Sequence, residues 1–216
     1  MSVRLLETTE LEDFSVRVVI PLPHRGAGRH RPAPRPVVDI VIPVHNQEST
    51  LEAGVRRLHA FVQSQLPFSA RITIADCAST DGTRAVARRL VSELRGVELL
   101  PISEAHRGRA VAAAWLTSPA RVVAVMDVAS QTDLSTLLPV LAPVITGRSE
   151  VSIGREHNLL HRLAHRARFS DPHRGFKAVR AEIARRLIPD VVDRSWWFDI
   201  ELLERARRAG LRIARA

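Results

Sequence analysis

Two short apolar segments, each followed by a polar loop and then by a helical pattern, constrain the fold of this chain most. The first runs VDIVIPVHNQE from Val38, and the second runs RITIADCASTDGT from Arg71. β-Branched residues dominate both segments, which is typical of strand–loop–helix units in a parallel α/β sheet. In such sheets ligands bind at the carboxyl ends of the strands. The two loops are therefore the first candidates for a functional site.

The same alternation continues through most of the chain. Further strands are expected at Val97–Pro101, Arg121–Met126 and Glu150–Ile153, with helices between them. Ser49 and Glu52 have the spacing of a capping box, which predicts how the first helix begins. Residues 1–36 are expected to form a flexible, basic, Pro-rich extension, and residues 37–216 a single domain.

Composition narrows the range of partners and compartments. The formal net charge is +9, but Lys177 is the only lysine, so arginine supplies nearly all of the positive charge. No aromatic-rich basic segment accompanies the arginines, so we expect no nucleic-acid partner. Cys77 is alone, which excludes an internal disulfide framework and a cysteine metal cluster. Without a secretory signal or an apolar run of about 20 residues, the expected location is the cytoplasm, and attraction to an anionic membrane face stays open.

Several polar residues allow a structural and a functional interpretation. Asp76 and Asp81 are either turn and helix-cap residues or contacts to a nucleotide, and their place after a strand favours the nucleotide. Asp127 either ends a strand or meets a metal or phosphate. His157, His161 and His165 lie four apart, a spacing that can bind zinc, but without a cysteine partner they indicate a polar helix face.

Seven segments occur in the order seen in family 2 glycosyltransferases: VDIVIPVHNQE, ADCASTDGT, RGRA, VAVMDVASQTDL, SIGRE, FSDPHRGFKAVR and WWFDIELL. The chain resembles the branch of dolichyl- and polyprenyl-phosphate mannose synthases and glucosyltransferases. The resemblance implies an α/β fold of the glycosyltransferase-A type, a Rossmann-like and mostly parallel sheet flanked by helices. Because the family continues beyond the position of Ala216, the domain is expected to be truncated at its C-terminus.

The resemblance also implies roles for individual residues. The donor sugar nucleotide would be bound by Pro43, Asn46, Glu48, Asp76, Ser79, Asp81, Gly82, Arg107 and Arg109. The catalytic residues would be Asp127, Asp171 and Asp199, with Asp127 as the ligand of Mg²⁺ or Mn²⁺. The acceptor side would be lined by Gly175, Phe176, Lys177, Trp197 and Glu201.

The sequence departs from the family pattern after the fourth strand. The usual Asp-x-Asp is Asp127-Val128-Ala129 here, so the second carboxylate is missing. Mg²⁺ often keeps only one or two protein carboxylates beside substrate phosphates and water, so this change predicts a weaker metal site. The segment between Gly154 and Phe169 is also shorter than in the resembling family.

Two functional hypotheses follow from the sequence. The first is an inverting glycosyltransferase that moves a hexose from a nucleotide-diphosphate sugar to a polyprenyl phosphate or similar acceptor, with peripheral contact at the inner face of the membrane. The alternative is a degenerate nucleotide-sugar-binding module without turnover, which the alanine at position 129 favours.

Overall fold

A computed structural model describes residues 35–127, 133–154, 176–193 and 197–216. Its strands are β1 (Val38–Val44), β2 (Ala70–Cys77), β3 (Val97–Ile102), β4 (Val122–Val125), β5 (Val151–Ile153), β6 (Lys177–Arg180) and β7 (Ile213–Arg215). Its helices are α1 (Leu51–Gln65), α2 (Thr83–Glu93), α3 (Arg107–Thr117), α4 (Leu137–Ile145), α5 (Ala181–Leu187) and α6 (Phe198–Arg208), with short 3₁₀ turns at Leu134–Thr136 and Ile188–Asp190.

The strands form one sheet in the order β3-β2-β1-β4-β6-β5-β7. The first four are mutually parallel, β6 is antiparallel to both of its neighbours, and β7 is parallel to β5. The mostly parallel sheet confirms the predicted α/β class. The strands predicted at positions 38, 71, 97, 121 and 150 are confirmed to within a few residues, whereas β6 and β7 are too short to show a period in the sequence.

Two hydrophobic cores cover the two faces of the sheet. Alternate residues of β1 point to opposite faces, so Ile40 and Ile42 pack with α1, α2 and α4, while Val41 packs with α3, α5 and α6. Every residue of β1 is buried, as expected for a central strand with helices on both sides. Pro43 faces the side where β4 has already ended, so its missing N–H leaves no ladder bond unmade.

The capping-box prediction is wrong at the start of α1, and a glycine follows the end of α6. Helix α1 begins after Thr50 without a side-chain cap, because the Glu52 carboxylate instead pairs with Arg56 and Arg89. Helix α6 ends at Arg208, and Gly210 turns the chain away from it. This glycine has φ 68°, and the chain closes with hydrogen bonds from Gly210 N to Arg207 O and from Leu211 N to Ala206 O.

Candidate donor site at the strand ends

Hydrogen bonds tie the loop after β1 to the loop after β2. Asn46 N donates to Ser79 Oγ at 3.0 Å, and Thr80 N donates to the Asn46 side-chain oxygen at 2.8 Å. Asn46 and Ala78 both have φ 51°, a left-handed conformation that costs free energy in residues other than glycine. The strained backbone and the cross-loop bonds together hold one defined surface at the carboxyl ends of the two strands.

A second pair of contacts joins the loops closer to their helices. Gly82 N donates to Glu48 Oε2 at 2.9 Å, and Glu48 N donates to Asp81 Oδ2 at 3.2 Å. Asp81 also accepts from Thr83 N at 3.0 Å, and these bonds to the carboxylate lower its pKa, the Thr83 side chain contributing most. Glu48, Asp81 and Gly82 thus form a reciprocal clasp at the start of α2.

Asp76 lies inside β2 and is wholly buried. Its carboxylate accepts from Arg84 Nε at 2.7 Å and from Ser79 N at 3.1 Å. In this conformation both oxygens are engaged within the protein. The partly exposed Arg84 is therefore the charged partner of this buried carboxylate.

Asp127 follows β4 and belongs to a charged cluster reached from three other elements. Its side chain is 47% exposed, and Asp127 Oδ1 lies 3.8 Å from Arg107 Nε. Arg107 Nη1 donates to Asp199 Oδ2 at 2.7 Å, and Lys177 Nζ donates to the same oxygen at 3.2 Å. Burial lowers the pKa of Arg107, but the charges of Asp199 and Asp127 outweigh it, so the net shift is upward and the guanidinium stays charged.

The structure separates the two arginines that the resemblance places beside the diphosphate. Arg107 faces Asp127 and Asp199, whereas Arg109 pairs with Glu104 at 2.5 Å on a more exposed part of α3. Both arginines lie in the first turn of α3, and side chains two positions apart on a helix point in different directions.

The residues expected on the acceptor side divide between core and surface. Phe176 is buried in the core, and its carbonyl accepts from Gly154 N. Trp197 is 58% exposed and borders a surface cavity of roughly 230 Å³ that Glu201 also lines. The Glu201 carboxylate accepts from the backbone N–H groups of residues 192 and 193, which fixes that loop against α6. Asp171 and Gly175 lie outside the described residues.

Asp127 offers a partly exposed carboxylate, which is a ligand that divalent cations accept. Within residues 35–127, 133–154, 176–193 and 197–216, no three His, Cys, Asp or Glu side chains converge as a metal cluster. One exposed carboxylate still fits Mg²⁺ or Mn²⁺, since such ions take most of their ligands from substrate phosphates and water. Ala129 lies outside the described part.

Three interactions at the site have no clear signal in the sequence. Arg84, in the first turn of α2, donates to the Asp76 carboxylate. The one sequence signal for this pair is that Arg84 closely follows the loop after β2. Lys177 reaches Asp199 across 22 residues, a pairing that no local pattern predicts. The Nδ1 of His45 lies 2.7 Å from the carbonyl oxygen of Cys77, another link between the loops.

The sequence and the site agree with one protein family. The model of glycosyl transferase family 2 matches residues 39–207, and the chain belongs to this family. Glycosyltransferase AglD of Haloferax volcanii is 29% identical over 198 residues, which cover 82% of this chain and 32% of that protein. Succinoglycan biosynthesis protein ExoA of Rhizobium meliloti is 50% identical over 54 residues, 25% of this chain and 16% of that protein. The chain therefore spans about a third or less of the length of these relatives.

Solved structures confirm the glycosyltransferase-A fold. Glucosyl-3-phosphoglycerate synthase from Mycobacterium tuberculosis, in complex with Mn²⁺, UDP and glucosyl-3-phosphoglycerate, has a TM-score of 0.62 and 18% identity over 83% of this chain and 69% of that one. Mannosyltransferase PcManGT from Pyrobaculum calidifontis, in complex with GDP-Man and Mn²⁺, has a TM-score of 0.62 and 19% identity over 86% and 56% of the two chains. At these identities the likeness concerns the fold.

Proposed function

We propose that this chain transfers a hexose, with inversion, from a nucleotide-diphosphate sugar to a polyprenyl phosphate or similar acceptor. The observation that carries the proposal is the arrangement at the carboxyl ends of β1, β2 and β4. There, the hydrogen-bonded loops after β1 and β2 lie at the same edge of the sheet as Asp127, and Arg107 Nε lies 3.8 Å from the Asp127 carboxylate. Family membership favours a transferase over a module that only binds the nucleotide.

The donor would lie on the two tied loops. Asn46, Ser79 and the clasp of Glu48, Asp81 and Gly82 would shape the surface for base and ribose. Because these loops are already ordered by hydrogen bonds, binding costs less conformational entropy than it would on free loops. Asp76 would contribute after Arg84 turns toward the donor, since the guanidinium suits a phosphate oxygen as well as a carboxylate.

Charge grows on the nucleoside diphosphate as it leaves the sugar. A bound Mg²⁺ or Mn²⁺, held by Asp127, would neutralise part of that charge as a Lewis acid. Arg107 would stabilise another part, because its guanidinium is largely buried and stays protonated. The departure of the nucleoside diphosphate then needs no proton from the protein.

The acceptor is proposed to be a lipid phosphate at the inner face of the membrane. A phosphate oxygen is already ionised at neutral pH, so the acceptor needs positioning rather than a strong general base. The exposed Trp197 and the net charge of +9 are suited to contact with an anionic lipid surface. Among the described helices, none combines the length and apolar character that crossing a bilayer requires.

The donor half of the proposal is tested by a ligand screen. UDP- and GDP-sugars are added with and without Mn²⁺, and thermal unfolding is followed. A donor at about 100 times its Kd should stabilise the fold by about 2.7 kcal/mol. If no nucleotide sugar shifts the unfolding temperature under either condition, the donor assignment is wrong.

The catalytic half is tested with Asp127→Asn and a matched control, Asp190→Asn, an exposed aspartate on the 3₁₀ turn after α5. Transfer to a short-chain polyprenyl phosphate and donor hydrolysis are measured with Mn²⁺. We expect Asp127→Asn to slow transfer by about a hundredfold or more, because the metal supplies several kcal/mol of transition-state stabilisation. Equal rates in both variants and the wild type would remove Asp127 from the mechanism.

A further inference from the structure

Arg107, Lys177 and Asp199 form a buried ion triad that joins three separate elements. Arg107 begins α3, Lys177 begins β6, and Asp199 lies in the first turn of α6. A single oxygen, Asp199 Oδ2, accepts from Arg107 Nη1 at 2.7 Å and from Lys177 Nζ at 3.2 Å. Asp199 is 0% exposed, so neither solvent nor a bulky acceptor reaches its carboxylate in this conformation.

Lys177 brings a buried ammonium group to the carboxylate of Asp199. Arginine takes all but one of the 32 Lys and Arg positions, yet the more deeply buried of the two cationic partners of Asp199 is the lysine. A guanidinium has five N–H donors, whereas the site offers Lys177 one hydrogen-bonded oxygen. A compact ammonium leaves fewer buried donors unmade and still neutralises the carboxylate.

The triad leaves hydrogen-bonding capacity on Arg107 and Asp199. Within the described residues, Arg107 Nη2 and Asp199 Oδ1 are buried and have no hydrogen-bond partner. Buried polar atoms of this kind are costly unless another group, water or ligand, satisfies them. Arg107 therefore presents Nε at 3.8 Å from Asp127 and keeps an unused N–H group on the same planar fork.

We propose that Asp199 and Lys177 are positioning residues that act through Arg107. Asp199 fixes the guanidinium through Nη1, Lys177 holds the same Asp199 oxygen in place, and the guanidinium oriented in this way donates to a diphosphate oxygen of the donor. Asp199 then has no direct contact with the acceptor. This inference rests on the proposed donor site and concerns the diphosphate part of it.

The test compares nucleoside diphosphate with nucleoside binding. Dissociation constants of UDP and GDP, with Mn²⁺, and of uridine and guanosine are measured for the wild type, Asp199→Asn, Lys177→Met and Arg107→Lys. We expect each variant to bind the diphosphate about tenfold more weakly, and the nucleoside as the wild type does. A merely structural role would weaken both ligands, because both use the same tied loops.

A double-mutant cycle adds a second readout. If Asp199 acts through Arg107, then Asp199→Asn combined with Arg107→Lys should bind the diphosphate no more weakly than Arg107→Lys alone. The matched control is Asp39→Asn, which alters another wholly buried aspartate paired with an arginine, Arg71, at the opposite ends of the strands. We expect this control to lower stability and to leave diphosphate affinity unchanged.

Three outcomes would overturn the inference while leaving the donor assignment intact. Additive losses in the cycle would mean that Asp199 and Arg107 act separately. Equal weakening of nucleoside and diphosphate would mean a structural role, and unchanged affinity in Asp199→Asn and Lys177→Met would mean no role. If the wild type binds neither UDP nor GDP, the donor assignment fails and this inference fails with it. If the wild type binds a diphosphate and the variants bind it equally well, only the inference is refuted.

Discussion

Replacing Gly82 by alanine should separate the stability of the fold from the order of the donor loops. A Cβ at this position would lie 2.8 Å from Glu48 Oε2 and closer still to the rest of the carboxylate. The Glu48 side chain would have to leave, and the bond from Gly82 N at 2.9 Å would be lost. The backbone itself accepts alanine, because Gly82 has φ −72° and ψ 0°.

The expected change in stability is small. Losing one exposed hydrogen bond costs about 1 kcal/mol. Replacing glycine at a compatible backbone position returns about 0.4–1 kcal/mol by restricting the unfolded chain. The two effects nearly cancel, so the free energy of unfolding should change by about 0.5 kcal/mol or less.

The expected change in binding is larger. Without the clasp, a ligand has to order the Glu48 loop itself, at about 1–2 kcal/mol per residue fixed. Ordering one residue corresponds to about a tenfold rise in the Kd of the nucleoside diphosphate. Urea unfolding and calorimetric titration with UDP and GDP measure the two quantities on the same preparation.

The control for this prediction is Glu48→Ala, alone and combined with Gly82→Ala. If the effect passes through the carboxylate, the double variant should bind as Glu48→Ala does. An unfolding free energy lowered by more than about 2 kcal/mol, beyond the range of one exposed hydrogen bond, would refute the reasoning. Unchanged affinity in Gly82→Ala would refute it equally.

Three further predictions concern buried and paired groups. Burial raises the pKa of Cys77 to about 11, so the thiol should react with iodoacetamide at pH 8 far more slowly in the native protein than in urea, and equal rates would contradict its burial. The side-chain hydrogen bond from Arg212 lowers the pKa of Glu150 from 4.5 to about 2. The destabilisation caused by Glu150→Gln should therefore be full above pH 4.5 and should shrink as the pH falls toward 2. A difference in urea midpoint that stays constant over this range would contradict the prediction. Asp39→Ala removes the wholly buried carboxylate partner of Arg71, which keeps only the exposed Glu98, and should destabilise the fold by about 3 kcal/mol in urea unfolding; a loss below about 1 kcal/mol would refute the importance of that pair.

Local patterns in the sequence were sufficient for the parallel half of the sheet. The runs at Val38 and Arg71 are dense in β-branched residues, and their loops contain residues that favour turns, so strand, loop and helix could each be predicted from neighbours in the chain. The antiparallel β6 could not, because four residues, KAVR, carry too little period and their pairing depends on β4 and β5 far along the chain.

The candidate site shows the same division between local and distant effects. The clasp of Glu48 and Gly82 follows from two loops whose place in the fold was predictable. The burial of Asp76 and the pairing of Lys177 with Asp199 depend on which side chains reach across between elements, and this is decided by packing in three dimensions. The resemblance could propose these residues for the site, while their exposure and partners required the structure.

The hydrogen bond from Gly154 N to Phe176 O, at 2.8 Å, closes the sheet at the two points where the chain leaves β5 and enters β6. The described residues on either side of positions 155–175, Gly154 and Phe176, are thus adjacent. Lengthening or shortening such an insert changes its closure entropy only slowly, by about 0.6 kcal/mol for each doubling. The sheet would therefore tolerate a segment of different length between Gly154 and Phe176, since these two residues stay joined by this bond.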